Sequence, residues 1–277
     1  MSEGHGEPVF MFSGDPSMIK ANERAKASFK YFWREVSWER RRIIPAFDMM
    51  LIKLPFADNN SESPESEHMW VDAVEFDGEV LSGVLMNSPN WLKSVKQGDA
   101  VSAPFSQLED WMIVSSRVAY GAFSVNAMRA NMSKGERKEH DAAWGLDFGE
   151  PDEIRIDPSE ERKKKTGFLG KLFGGKKETP AQPDKPAGHQ EHVMCVNMLP
   201  KIEESLQKDA GPYLQADEDG WTMLHHEALA GNFGAVKLLV KYGADAKKKT
   251  NSGKDAIELA RILKWDEIAE YLVKNAR

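Results

Sequence analysis

Two stretches bring together residue types that do acid-base or metal chemistry. Within DGWTMLHHEALAGN, from Asp219 to Asn232, His225, His226 and Glu227 stand side by side near Trp221, while Glu67 and His68 adjoin one another upstream and Asp110 follows. Imidazoles and carboxylates serve both general acid-base catalysis and zinc binding. The spacing favours neither. A helical metal site wants ligands a turn apart, as in His-Glu-x-x-His, whereas adjacent helical residues such as His225 and His226 diverge by about 100°. Glu67, His68 and Asp110 would suit a hydrolase if Ser115 or Ser116 supplied the nucleophile, but no Gly-x-Ser-x-Gly elbow, phosphate loop or dinucleotide fingerprint occurs. The expectation is therefore no catalytic residue, no metal and no cofactor. His68 is read as a residue before a strand, and Asp110-Trp111 as a turn residue followed by a core aromatic. The single cysteine, Cys195, excludes an intrachain disulfide or a multi-cysteine zinc site and fits a reducing cytoplasm as a buried thiol.

Charge and composition divide the 277 residues into three. Residues 1–161 carry a net charge of −11, residues 162–189 of +6 and residues 190–277 of −2. The middle stretch is rich in Gly, Pro and Lys, a composition that buries too little apolar surface to order itself, and it reads as a linker. Its lysines alternate with Phe168, Leu169, Leu172 and Phe173, so it is read as a solubilised tether with membrane contact as the alternative. No run is long and apolar enough to span a bilayer, and the start has no basic and apolar leader, so a cytoplasmic protein is expected.

The C-terminal part repeats itself. Gly220 and Gly253 are 33 residues apart, and the same offset aligns Leu224 with Ile257 and Ala230 with Leu263. With Thr222, Leu224, His225, Ala228, Gly231, Val236, Leu239, Gly243 and Asp245 in register, this stretch strongly resembles an ankyrin repeat, a loop followed by two short antiparallel helices. Met223 stands where that family usually has proline, and the unit from Asn251 to Lys274 lacks the Thr-x-Leu-His signature, as a terminal cap does. The resemblance makes Thr222 and His225 structural groups that tie the turn and neighbouring repeats. Gly243 falls where a left-handed helix cap is needed. Val193 to Asp209 reads as a degenerate first helix pair, with Pro200 beginning its second helix, giving about two and a half repeats over residues 190–277. So short an array needs support, from the N-terminal domain or a partner.

Residues 1–161 read as an α+β domain, an antiparallel sheet with flanking helices, ahead of the all-α array. Pro16 opens a long helix with Met18, Ala21, Ala25, Phe29, Phe32 and Val36 on one face. FDMMLIKLPF reads as a strand, and HMWVDAVEFDGEVLSGVLM as a hairpin turning at Asp77-Gly78. Over Ile44 to Ala143 the marks Glu67-His68-x-Trp70, Gly83, Asn87, Pro89, Gly98-Asp99 and Asp110-Trp111 resemble the bacterial domain of unknown function 2314, the YegJ-like family. That resemblance implies a fold and assigns no reaction.

A short ankyrin array beside an acidic domain implies a protein-binding module. Chains of this kind resemble bacterial immunity proteins that occlude a cognate toxin, including effectors of type VI secretion. The acidic charge favours a basic, nuclease-like partner over direct contact with nucleic acid or membrane. The expected contact residues are Asp72, Glu75, Asp77 and Glu79 on the hairpin, with Trp221, His226, Glu227 and Phe233 on the array. An adaptor or chaperone for a secreted effector, and a hydrolase in the N-terminal domain, are the alternative readings.

Overall fold

The computed structural model describes residues 15–58, 66–158 and 190–275. It divides into two compact units, one gathering residues up to Ser28 with Ala46–Ile156, the other Phe29–Pro45 with Asp157–Arg277. The division runs through α1 (Pro16–Glu39), whereas the sequence division kept that helix whole. The basic stretch read as a tether lies outside the described residues.

The first unit is a six-stranded, wholly antiparallel sheet in the order β4-β3-β2-β1-β5-β6. Its strands are β1 (Met49–Phe56), β2 (Glu67–Phe76), β3 (Val80–Leu85), β4 (Ala100–Pro104), β5 (Asp110–Ser115) and β6 (Val118–Gly121), followed by α2 (Phe123–Ala130) and α3 (Lys134–Trp144). The first five residues of β5 are all buried, as expected of a strand covered on both faces. On one face Leu51, Trp70, Met112 and Val114 cluster with Val125 of α2 and with Phe148. Trp111, of opposite parity, donates its indole N–H to the Ala25 carbonyl of α1 at 3.1 Å.

The β2–β3 hairpin turns at Asp77, whose carboxylate accepts the Glu79 and Val80 amides at 2.8 and 2.7 Å. A bulge interrupts β2: Asp72 pairs with Val84 but Glu75 pairs with Ser82, so β2 holds one extra residue, and Ala73 has φ 51°. Gly83 sits opposite, where an added Cβ would lie 2.3 Å from the Asp72 carbonyl oxygen. A side chain there would force the bulge apart.

The second unit joins the C-terminal half of α1 to α4 (Val193–Lys208), α5 (Gly211–Leu214), α6 (Met223–Ala230), α7 (Phe233–Lys241), α8 (Ala256–Ile262) and α9 (Asp266–Asn275). The expectation that Pro200 opens a second helix is corrected, because α4 runs through it. Proline removes one backbone donor, but Cys195, Leu199, Ile202 and Leu206 continue a single apolar face across it and hold the helix together. Gly231 ends α6 at φ 76°, and a Cβ there would meet the Trp265 indole at 2.3 Å. That indole donates to the Leu229 carbonyl at 3.1 Å, fastening the α8–α9 turn to α6.

Candidate functional site

Three side chains along one side of α1, and Arg41 in the turn that follows it, hold the helix within the second unit. Arg34 donates to Asp157 and to the Gln190 carbonyl, both at 3.0 Å. Glu35 meets His192 Nε2 at 3.0 Å, Trp38 Nε1 donates to Asn232 Oδ1 at 3.0 Å, and Arg41 pairs with Glu227 at 2.9 Å. Positions 34, 35, 38 and 41 follow the helical repeat and share a face. His192 Nδ1 accepts the Met194 amide, which places the neutral ring's proton on Nε2, facing Glu35. Its ring stacks on Trp38 at 5.6 Å. Arg34, Glu35, His192, Glu227 and Asn232 are all buried, and these pairings offset part of the cost of burying them, the Glu35 and Glu227 contacts being ion pairs without hydrogen-bond geometry.

Beside this clamp lies a cavity of about 900 Å³, lined entirely by residues of the second unit. From α1 come Trp33, Ser37 and Trp38, and from the turn after it Arg40 and Arg41. Met194, Met198, Lys201, Ile202 and Ser205 line it from α4, at the spacing that keeps them on one helical face. Tyr213, Asp217, Trp221, Met223 and His226 close the far side. Tryptophan and methionine give the trough a large, adaptable apolar lining, and Arg40, Arg41 and Lys201 add positive charge. A volume of this order suits a ligand or a segment of a partner.

The expected array contacts fall in different places. Trp221 and His226 line the cavity and stack on one another at 4.8 Å. Part of the His226 ring meets solvent, yet the protein packed around it withdraws enough water to lower its pKa, and Arg41 and Arg40 act in the same direction against Asp217. Glu227 is corrected as a surface contact. It is 1% exposed and occupied by Arg41 and by the Asn232 amide at 2.6 Å. Phe233 is half-buried outside the cavity lining, edge-on to Tyr271 with Lys237 over its face.

Of the residues expected to be structural, His225 is fully buried. Its Nδ1 meets the Thr222 amide and hydroxyl at 2.9 Å, and its Nε2 meets the Lys248 carbonyl at 2.8 Å. An amide donor at Nδ1 puts the proton on Nε2, in the neutral ring. Gly243 follows α7 at φ 98°, the left-handed conformation anticipated there.

In the first unit the bulge has a consequence for the acidic residues. Asp72 and Glu75 stand opposite Val84 and Ser82, two residues apart on β3, so both lie on one face of the sheet. Glu79 is exposed, while the Asp77 carboxylate is occupied by the turn. Glu67, His68 and Asp110 have separate structural partners. The buried Glu67 carboxylate accepts the amides of Asn90, Trp91 and Leu92 at 2.8, 2.8 and 2.9 Å. Burial alone would raise its pKa, but these donors outweigh it and hold the carboxyl below its ordinary value. His68 lies within β2 rather than before it, and pairs with Glu109 at 2.6 Å.

Asp110 caps the start of α2, accepting the Phe123 and Ser124 amides at 2.9 and 2.7 Å and the Ser124 hydroxyl at 2.6 Å. Complete burial pushes its pKa up against the pull of those donors. Ser115 donates to the Ala46 carbonyl, and Ser116 forms the β5–β6 turn with Arg117, both at positive φ. Burial, aided by Glu191, raises the Cys195 thiol pKa, which disfavours the thiolate a nucleophile needs. No group of three or more His, Cys, Asp or Glu placed to hold a metal occurs among the described residues. No helix among them is long and apolar enough to cross a membrane.

Comparison with known proteins matches the chain in two parts. The family described as "Uncharacterized protein conserved in bacteria (DUF2314)" matches residues 15–148, and "Ankyrin repeats (3 copies)" matches residues 191–277. A protein of Neisseria meningitidis serogroup B, named for its ankyrin repeats, is 38% identical across 96% of this chain and 98% of its own length. The chain belongs to this family, in which a DUF2314 domain precedes ankyrin repeats. The human Notch-regulated ankyrin repeat-containing protein is 37% identical over 21% of this chain and 52% of its own. Among solved structures, the complex of the Bdellovibrio bacteriovorus predatory endopeptidase Bd0816 with immunity protein Bd3460 matches 32% of this chain and 49% of that chain at 26% identity, with a TM-score of 0.27. A superposition that limited carries no argument about this chain.

Proposed function

We propose that this chain is a bacterial immunity protein acting in the cytoplasm, which binds a toxic protein and occludes it. The observation that carries the reading is the aromatic and methionine-lined cavity built where an ankyrin array, a scaffold for protein binding, meets its supporting helix. The net charge of −11 over residues 1–161, with Asp72 and Glu75 on one sheet face, suits a basic partner and favours a nuclease, such as an effector of type VI secretion. The side chains of the N-terminal unit that resembled a catalytic set are engaged in capping and pairing, which favours occlusion over turnover.

The test is co-purification of the intact protein with its partner from the native bacterium, followed by expression of that partner alone and together with this chain. The expected result is one tightly held protein, toxic by itself and harmless in company. A retained partner whose expression has no effect on growth would refute immunity and leave binding.

A further inference from the structure

We propose that the cavity between α1, α4 and α6 receives a short amphipathic helix of the partner protein, one that presents large apolar side chains flanked by Asp or Glu. This rests on the reading of the chain as a protein binder and concerns one segment of the partner, separate from the basic surface that would face Asp72 and Glu75. Met194, Met198 and Ile202 follow one another at four-residue intervals, the ridge spacing that an incoming helix packs against. From Met194 to Ser205 the lining extends about 16 Å along α4 at 1.5 Å per residue, long enough for two to three turns of a helical guest. Trp33 and Trp38 make the opposite wall, so an inserted apolar side chain would be held between aromatic faces and flexible thioethers.

Charge chooses among possible guests. The two acids in the lining are already committed: Asp217 accepts the Asp219 and Trp221 amides, and Glu227 is buried against Arg41 and Asn232. On α4, Glu203 and Glu204 are paired with Lys241 and Lys208. Lys201 of α4 is exposed beside the trough, as is Arg40, which follows the end of α1 and lies over the Trp33 ring. A guest with carboxylates next to its apolar side chains would meet these cations, and a lysine-rich guest would be repelled. The site is composite, because α1 lies outside the ankyrin repeats and supplies a wall that the array alone lacks.

The test is selection of short random peptides displayed on phage against the intact protein, with binding of the enriched peptides then measured by calorimetry. Enrichment of large apolar residues a helical turn apart with flanking Asp or Glu is the expected result. Met198→Arg and Lys201→Glu should each weaken binding about tenfold or more, and Lys138→Glu, an exposed charge reversal on α3, should leave it unchanged. Lys201 is exposed, so its reversal reports on binding even if Met198→Arg impairs folding. Basic enriched peptides, no enrichment, or binding insensitive to both variants would overturn the proposal. So would self-association of the intact protein that Met198→Arg abolishes, which would make a second copy the occupant. If both variants still bind and neutralise a whole toxin as the parent does, this site is refuted while the immunity reading stands.

Discussion

The Trp38 indole N–H donates to the Asn232 side-chain oxygen across 3.0 Å, with both residues buried. Asn232 in turn donates to Glu227, which pairs with Arg41, three residues beyond Trp38 in the turn that follows α1. The pair therefore couples the supporting helix to the turn between the two helices of the central repeat. Trp38→Phe would keep most of the apolar contact and leave the asparagine oxygen without its donor. The expected cost is about 1–3 kcal/mol of unfolding free energy, measured by urea denaturation. A change within error in both this variant and Asn232→Ala would show that the contact is dispensable.

The same helix should decide whether the array folds by itself. Residues 190–277 alone would lack the partners of Glu227, His192 and Asn232 and would expose the cluster around Cys195 and Ala235, which Trp38 covers. That fragment is expected to melt broadly or at low temperature, and an added peptide spanning residues 29–45 to sharpen and raise the transition. A sharp, independent transition of the fragment, unmoved by the peptide, would contradict this.

The ankyrin part was legible because its signals are local: the 33-residue period, the Thr222 and His225 pair, and a glycine after α7. The β2–β3 hairpin was legible from alternation and from the residue types of its Asp77-Gly78 turn, and β1 from its apolar run. Less visible was the bulge at Ala73, since nothing in VDAVEF announces an extra residue, and without it Asp72 and Glu75 would fall on opposite faces. The role of Trp38 and Arg41 in holding Asn232 and Glu227 was also hidden. Their partners lie more than 150 residues away, and periodicity on one helix cannot say which element covers it. Glu227 misled because a glutamate beside two histidines on a polar helix face suggests a surface, whereas a long-range arginine made its burial tolerable.

Glu67 offers a test of capping against catalysis. Its carboxylate gathers three consecutive loop amides, so Glu67→Gln should cost about 1–3 kcal/mol and speed hydrogen exchange at Asn90, Trp91 and Leu92. The folded carboxyl sits below its ordinary pKa, so its stabilising share is present above about pH 4.3 and is lost as pH falls through the lower folded value. Unchanged exchange at those amides would mean that the loop does not depend on Glu67.

His225 should make the array sensitive to mild acid. Burial lowers the imidazole pKa, and the Lys248 carbonyl and Asp255 only partly oppose it. His226 shifts in the same direction. The unfolded chain then binds these protons more readily than the folded one, so stability is fully present above about pH 6.5 and declines as pH falls toward the lower folded values. The geometry agrees, because a proton added to His225 Nδ1 would point at the Thr222 amide, which now donates to it. Thermal melts of the intact protein should show the array transition falling between about pH 7.5 and pH 5.5, the range that spans the ordinary histidine pKa. His225→Gln is expected to lower that transition at the higher pH and to flatten its dependence, while His226→Gln removes only the smaller share of a ring partly in water. An array transition that stays level over this range in the parent protein would show that His225 is not held neutral by its burial.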